Sequence, residues 1–159
     1  MKILIDTREQ APFVFSKFTE LEVERAALPT GDYSLPGFED RIAIERKEVN
    51  DLVACLKGAN RERFERELSR GRSYDFFAVV VEATLEDLIR GRYRSEMKAC
   101  SVVQSILAFQ VRYRVPFIWC GGRVGAEYVT FSLLQKYFEE IEKRYKTACK
   151  KQGSPGVIH

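Results

Sequence analysis

Residues 76–83 read Phe-Phe-Ala-Val-Val-Val-Glu-Ala, a continuous apolar run broken only by Glu82. A run of this length without alternation is the pattern of a strand covered on both faces. Such a strand needs packing elements above and below the sheet it enters. A chain of 159 residues, 45% of them hydrophobic, can supply those elements within one domain. Charged residues make up 31%, which describes a heavily ionised surface and neither a disordered nor a membrane composition.

The rest of the chain divides around that strand. Residues 2–6 (Lys-Ile-Leu-Ile-Asp) form a short buried strand ending in a carboxylate. Residues 21–28 suit a strand or a helix, and the Pro29-Thr30-Gly31 break favours a strand that ends there. A hairpin follows: 31–35 is one arm, Pro36-Gly37 opens the turn, and 41–47 is the other arm. Asn50 or Asp51 caps a helix whose buried face holds Leu52, Val53, Leu56, Phe64 and Leu68, with Gly58 able to divide it. Further helices are expected at Leu85–Ile89, from about Ser95 to Tyr113, and from about Gly125 to Lys150; another strand is expected at Val115–Cys120. The order gives one α/β/α domain over 1–150, a mixed central sheet flanked by helices, with a disordered tail over 151–159.

Several function classes drop out. The four cysteines, at 55, 100, 120 and 149, lack zinc-finger spacing, and the single histidine, His159, is the last residue. The thiols are expected to pack as small apolar groups. Histidine acid–base chemistry is disfavoured. No apolar run approaches the ~18 residues that span a bilayer, and the opening Met1–Asp6 is too short and too soon charged for a signal peptide. A cytoplasmic protein, nucleoid-associated or nuclear according to its source, is the expectation. A net charge of +3 and a pI near 8.7 are only mildly basic.

The chemistry concentrates on the second hairpin arm. Glu45 and Lys47 lie two apart on a strand, so both side chains share one face, while Arg46 points to the other. Asp32 on the partner arm can approach Glu45, and Asp6 at the tip of the first strand can close the same cluster. Charges finishing apolar strands are costly unless paired or metal-bound. Two adjacent carboxylates are hard oxygen ligands suited to Mg²⁺, which removes their repulsion. Lys47 beside a metal can hold a water and assist its deprotonation, or stabilise charge on a phosphate oxygen. An ordinary charged strand end with surface ion pairs has the same spacing, and spacing alone does not separate the two readings.

Gly31-Asp32, twelve intervening residues, Glu45-Arg46-Lys47, three more and then Asp51 resembles the signature of the XPF-type nuclease domain, with all six specified residues present. Ile5-Asp6-Thr7-Arg8-Glu9 looks like the family's first strand and Val80-Val81-Glu82 like its later apolar strand. The segment Asn60–Glu67 resembles the basic helix after the motif. The likeness covers roughly residues 3–90. It implies a restriction-endonuclease-like fold and Mg²⁺- or Mn²⁺-dependent hydrolysis of DNA, usually at branches, flaps or forks. Carried over residue by residue, it implies Asp32 and Glu45 as metal ligands and Lys47 serving the attacking water. Asp6 and Asp51 complete or support the acidic site, and Arg46 is the motif arginine, orienting acids or touching phosphate. XPF relatives usually carry a tandem helix-hairpin-helix module, and no such pair of hairpins occurs in this sequence. The likeness is therefore to compact, stand-alone bacterial or phage forms.

Arg8, Arg61, Arg63, Arg92, Tyr93 and Arg94 are the candidate DNA contacts. Glu62, Glu65 and Glu67 interleave with the arginines at 61–66, a mixture equally typical of a solvated helix face. Tyr93 is a candidate for stacking on an unpaired base. On the last helix Phe131, Leu134, Tyr137, Phe138, Ile141 and Tyr145 form an apolar stripe, read as core with a homodimer interface as the alternative. Two other functions fit the same fold: a non-catalytic DNA-binding or partner subunit, and a nuclease that needs a partner protein for its grip on DNA.

Overall fold

The structure is a computed structural model and describes residues 1–153. Six strands form one sheet in the order β2-β1-β3-β4-β5-β6. They are β1 (Lys2–Asp6), β2 (Glu22–Ala26), β3 (Tyr33–Ser34), β4 (Ile42–Lys47), β5 (Phe76–Val81) and β6 (Phe117–Trp119). The helices are α1 (Val49–Ala54), α2 (Gly58–Gly71), α3 (Leu85–Ile89), α4 (Ala99–Tyr113) and α5 (Arg123–Gln152). The ambiguous segment at 21–28 is an edge strand, parallel to β1. The expected hairpin is present, with β3 antiparallel to both β1 and β4. β4, β5 and β6 run parallel, so the sheet is mixed.

The apolar run sits where it must. In β5, Val79 and Val81 pack toward α1, α2 and α4, while Ala78 and Val80 pack toward α5. All four are fully buried, and each valine contributes about 1.5–3 kcal/mol by leaving water. The same alternation divides β4: Ala43 faces the α2 layer, whereas Ile42 and Ile44 face the α5 layer. Phe64 of α2 meets Phe109 of α4 edge-to-face at 6.1 Å, joining the two helices over the sheet.

Several expected boundaries move. The cap of α1 is Glu48, whose carboxylate accepts the Asn50 N–H at 2.9 Å, and neither Asn50 nor Asp51 caps it. Gly58, at φ +61°, divides the segment into α1 and α2 as expected. α4 begins at Ala99 instead of Ser95, because 92–97 is tied down as a loop in which Arg94 N–H donates to Asn50 Oδ1. α5 continues through Gln152, so Lys151 and Gln152 are helical instead of tail; residues 154–159 lie outside the described residues. On α5 Leu134 is buried and Phe131 and Tyr137 pack on the core, while Phe138 and Tyr145 are exposed. Among the described residues no helix is long and apolar enough to cross a membrane.

Candidate active site

The site forms where the strands on either side of β3 end together. Asp32 lies just before β3, and its backbone bridges the neighbours: its N–H donates to Ile44 O at 2.9 Å and its carbonyl accepts the Asp6 N–H at 2.8 Å. Gly31 makes this approach possible. Its φ is +77°, and a Cβ there would lie 2.8 Å from the Ala43 Cβ. The Asp32 carboxylate then accepts the Arg46 backbone N–H at 2.8 Å.

Glu45 and Lys47 project from β4 into a cleft of about 430 Å³ between the sheet and α2. Lys47 Nζ donates to Glu45 Oε1 at 2.7 Å, with the two side chains only 15% and 7% exposed, and it stands 5.2 Å from the centre of the Phe64 ring. Burial opposes the Lys47 charge, but the acids around it, Glu45 first and Glu67 with it, act together to raise the Lys47 pKa. Lys47 is held as an ammonium.

Arg46, between them, faces the α5 layer. It binds Glu9 through Nε and Nη2, both at 3.0 Å, and Glu82 through Nη1 at 3.1 Å. Arg123 reaches Glu82 at 3.4 Å and the carbonyls of Ala11 and Pro12 at 2.9 and 2.8 Å. Burial would raise the Glu9 pKa, but the Arg46 hydrogen bonds hold it below the usual range. The Ala11 N–H adds a bond to Glu9 Oε1 at 2.8 Å and lowers that pKa further. Asp6 is neutralised in the same manner. Burial would raise its pKa, but the Arg8 guanidinium at 2.7 Å and the Leu28 N–H at 2.9 Å hold it low.

Two acids in the cleft have no such partner. Burial, then the adjacent Glu45 charge, push the Asp32 pKa well above the carboxylate range. Glu67, on α2, is raised by the same two causes. The donor set facing the cleft therefore includes hard oxygens not paired with arginine, Asp32 and Glu67, on which burial and the neighbouring Glu45 favour the protonated form. A divalent cation fits between them and would take the place of those protons. Among the described residues no three His, Cys, Asp or Glu side chains stand close enough to hold a metal by themselves. A cation here would take its remaining ligands from water.

The structure brings Asp6, Arg8, Asp32, Glu45, Lys47 and Arg63 together in the cleft walls. Other expected residues lie elsewhere. Asp51 is exposed on α1, outside the cleft walls. Arg61 turns toward α4, bonding Ser105 at 3.2 Å and stacking on Phe109. Arg92 pairs with Asp87 at 3.1 Å, and Tyr93 donates its hydroxyl to Met97 O at 2.6 Å; with Arg94, they do not line the cleft. Glu67 and Thr30 are not among the candidates taken from the sequence, and they line it together with Arg70, one of the basic residues just after the Asn60–Glu67 segment. Helical spacing carried a signal for Glu67, three residues after the buried Phe64 and next to the buried Leu68.

A mixed sheet between helical layers, with acids and a lysine at the ends of its central strands, defines the restriction-endonuclease-like class. Residues 5–129 match the family described as ERCC4 domain, and the chain belongs to that family. Nucleases of this family generally use a divalent metal. Among solved structures the chain resembles XPF from Aeropyrum pernix, at 23% identity and a TM-score of 0.68 over 92% of this chain and 69% of that one. It also resembles the complex of the Aeropyrum pernix XPF with DNA, at 24% identity and a TM-score of 0.65 over 87% of this chain and 66% of that one. The chain thus spans about two thirds of these proteins. No curated protein sequence matches it.

Proposed function

We propose that this chain is a Mg²⁺- or Mn²⁺-dependent endonuclease that hydrolyses phosphodiester bonds in DNA. The observation that carries the reading is the division of the acids. Asp6, Glu9 and Glu82 are engaged by arginines, whereas Asp32 and Glu45 converge on an open cleft beside one lysine.

Asp32 and Glu45 would hold the cation, which when bound supplies electrophilic stabilisation of the phosphate and acidifies the attacking water. Lys47 keeps its proton, so its part is to orient that water and to set a positive charge beside the phosphate oxygen that gains charge. Arg8, Arg63 and Arg70, in the cleft walls, receive neighbouring phosphates and fix the strand in place. Arg46, dry and bonded on the other face, holds β4 and the Asp32 carboxylate at their separation. The family resemblance, together with a similar protein described in complex with DNA, supports DNA with branches, flaps or forks as the substrate class.

The test is cleavage of labelled single-stranded, duplex, flap, fork and four-way DNA with Mg²⁺, with Mn²⁺ and with chelator. Metal-dependent cutting is expected, falling by about 100-fold or more in Lys47→Ala while DNA affinity and thermal stability change little. Undiminished cutting by Lys47→Ala removes the role of Lys47. Binding without cutting, in either metal, assigns the chain to the non-catalytic members of the fold.

A further inference from the structure

The sequence leaves Glu67 among the mixed charges of a solvated helix face. The structure places it elsewhere. Its neighbours on α2 are occupied or solvated: Glu65 accepts from Arg112 at 2.6 Å and from the Tyr113 hydroxyl at 2.9 Å, whereas Glu62 is exposed. Glu67 instead lines the cleft on the α2 side, in the same enclosure as the Asp32 and Glu45 carboxylates. Among the described residues no lysine or arginine forms a salt bridge with it, and Lys47 pairs with Glu45 alone. A carboxylate set against another carboxylate is unfavourable unless something positive comes between them.

A second, independent feature lies in the same wall. Thr30 is 2% exposed, and its Oγ1 is a buried hydroxyl without a hydrogen-bond partner. An unsatisfied hydroxyl costs about 1–3 kcal/mol, and a water held in the cleft would relieve that cost. The two features fit one ligand. Mg²⁺ is usually bound by one or two carboxylates and keeps several of its waters. With Asp32 and Glu45 on one side, Glu67 and Thr30 stand where such waters need acceptors.

We propose that Glu67, with Thr30, forms the outer half of the cation site, holding the water shell of a hydrated divalent ion whose direct ligands are Asp32 and Glu45. This rests on the reading of the cleft as a cation site. It adds α2 to the site, so that a hydrated ion would link helix to sheet. Outer partners of metal ligands alter metal affinity by about 10–100-fold, and Glu67 belongs at the lower end because it would act through water.

The experiment is Mn²⁺ binding to the intact chain, read from the paramagnetic resonance of free Mn²⁺, for the unmodified protein, Glu67→Gln, Thr30→Val and Asp32→Asn. Melting in chelator accompanies each, to establish that every variant folds. We expect Glu67→Gln to weaken Mn²⁺ binding about tenfold, Thr30→Val to weaken it less, and Asp32→Asn to abolish it. Affinity of folded Glu67→Gln within twofold of the unmodified protein overturns the assignment while leaving the cation site of Asp32 and Glu45 standing. A loss as complete as that of Asp32→Asn makes Glu67 a direct ligand and overturns the water-held arrangement. If the unmodified protein binds no Mn²⁺, the cation site itself fails, and the role of Glu67 falls with it.

Discussion

Arg46 and Lys47 are adjacent in the chain and separated by the thickness of the sheet. Each holds an acid, but with opposite effect on accessibility. Arg46 is 10% exposed and bonded to two carboxylates, so it is a fixed part of the scaffold. Lys47 opens onto the cleft. The unbalanced acids give the residue scale a measurable signature. Asp32 and Glu67 have pKa values raised above those of the unfolded chain, so the folded state retains protons that the unfolded state has released. Their contribution to stability is complete below the unfolded carboxylate range and is lost as pH rises through the raised values. Asp6 and Glu9, whose pKa values are lowered, act oppositely and lose their contribution as pH falls below about 4. Metal-free protein should therefore melt at progressively lower temperature from about pH 5 to about pH 9. Mn²⁺ should restore most at the alkaline end. A melting temperature that is level or rising across that interval, in chelator, contradicts the electrostatics of the cleft.

At the scale of elements, the loop into β3 governs the site. Gly31→Ala places a methyl 2.8 Å from the Ala43 Cβ at a φ of +77°, while Gly37→Ala meets nothing within 4 Å at a φ of +81°. Both carry the left-handed backbone cost of roughly 1 kcal/mol. Gly31→Ala adds overpacking of about 1–3 kcal/mol and shifts Asp32. Chemical denaturation should rank Gly31→Ala well below Gly37→Ala in stability, and only Gly31→Ala should lose Mn²⁺ affinity. Equal effects would show that the close approach of Gly31 to β4 does not position the site. The strands were legible because burial writes itself directly into their patterns: β5 as an unbroken run, and β4 as an apolar stretch ending in Glu45-Arg46-Lys47. Helix starts were less legible. Glu48 caps α1 although Asn50 and Asp51 are better intrinsic caps. The loop before α4 is fixed by bonds to Asn50 and Met97, contacts that no local pattern contains.

For the whole molecule, net charge said little and charge placement says more. Arg63 and Arg70 line the cleft without a salt bridge among the described residues, and Arg8 lines it while paired with Asp6. Arg61, Arg92 and Arg112, outside the cleft, are instead committed to ion pairs with Glu65 and Asp87. Sequence alone sets Arg8, Arg61, Arg63 and Arg92 together as candidates, because it does not show which of them meets Glu65 one helical turn on, which meets Asp87 across a turn, and which reaches the cleft. Arg63→Ala and Arg70→Ala should each weaken DNA binding and lower the slope of log affinity against log salt by about 1. Arg112→Ala should leave that slope unchanged. Fluorescence anisotropy across a salt series measures this, and equal slopes for all three variants would remove the cleft from the path of the DNA. The motif acids and lysine were legible because they occupy fixed intervals along one hairpin. Glu67 was less so, since its meaning depends on α2 crossing the ends of the strands.

The division of β4 between two layers has a further consequence for alignment. Neighbouring side chains on a strand lie on opposite sides, so a slip of one residue would exchange the two environments. Arg46 would enter the cleft, and Glu45 and Lys47 would turn into the apolar layer beneath α5. The parallel pairing of Ile42 through Lys47 with Phe76 through Val81 prevents this. The oily strand that first implied a covered sheet thus also acts as the ruler against which the reactive groups are aligned.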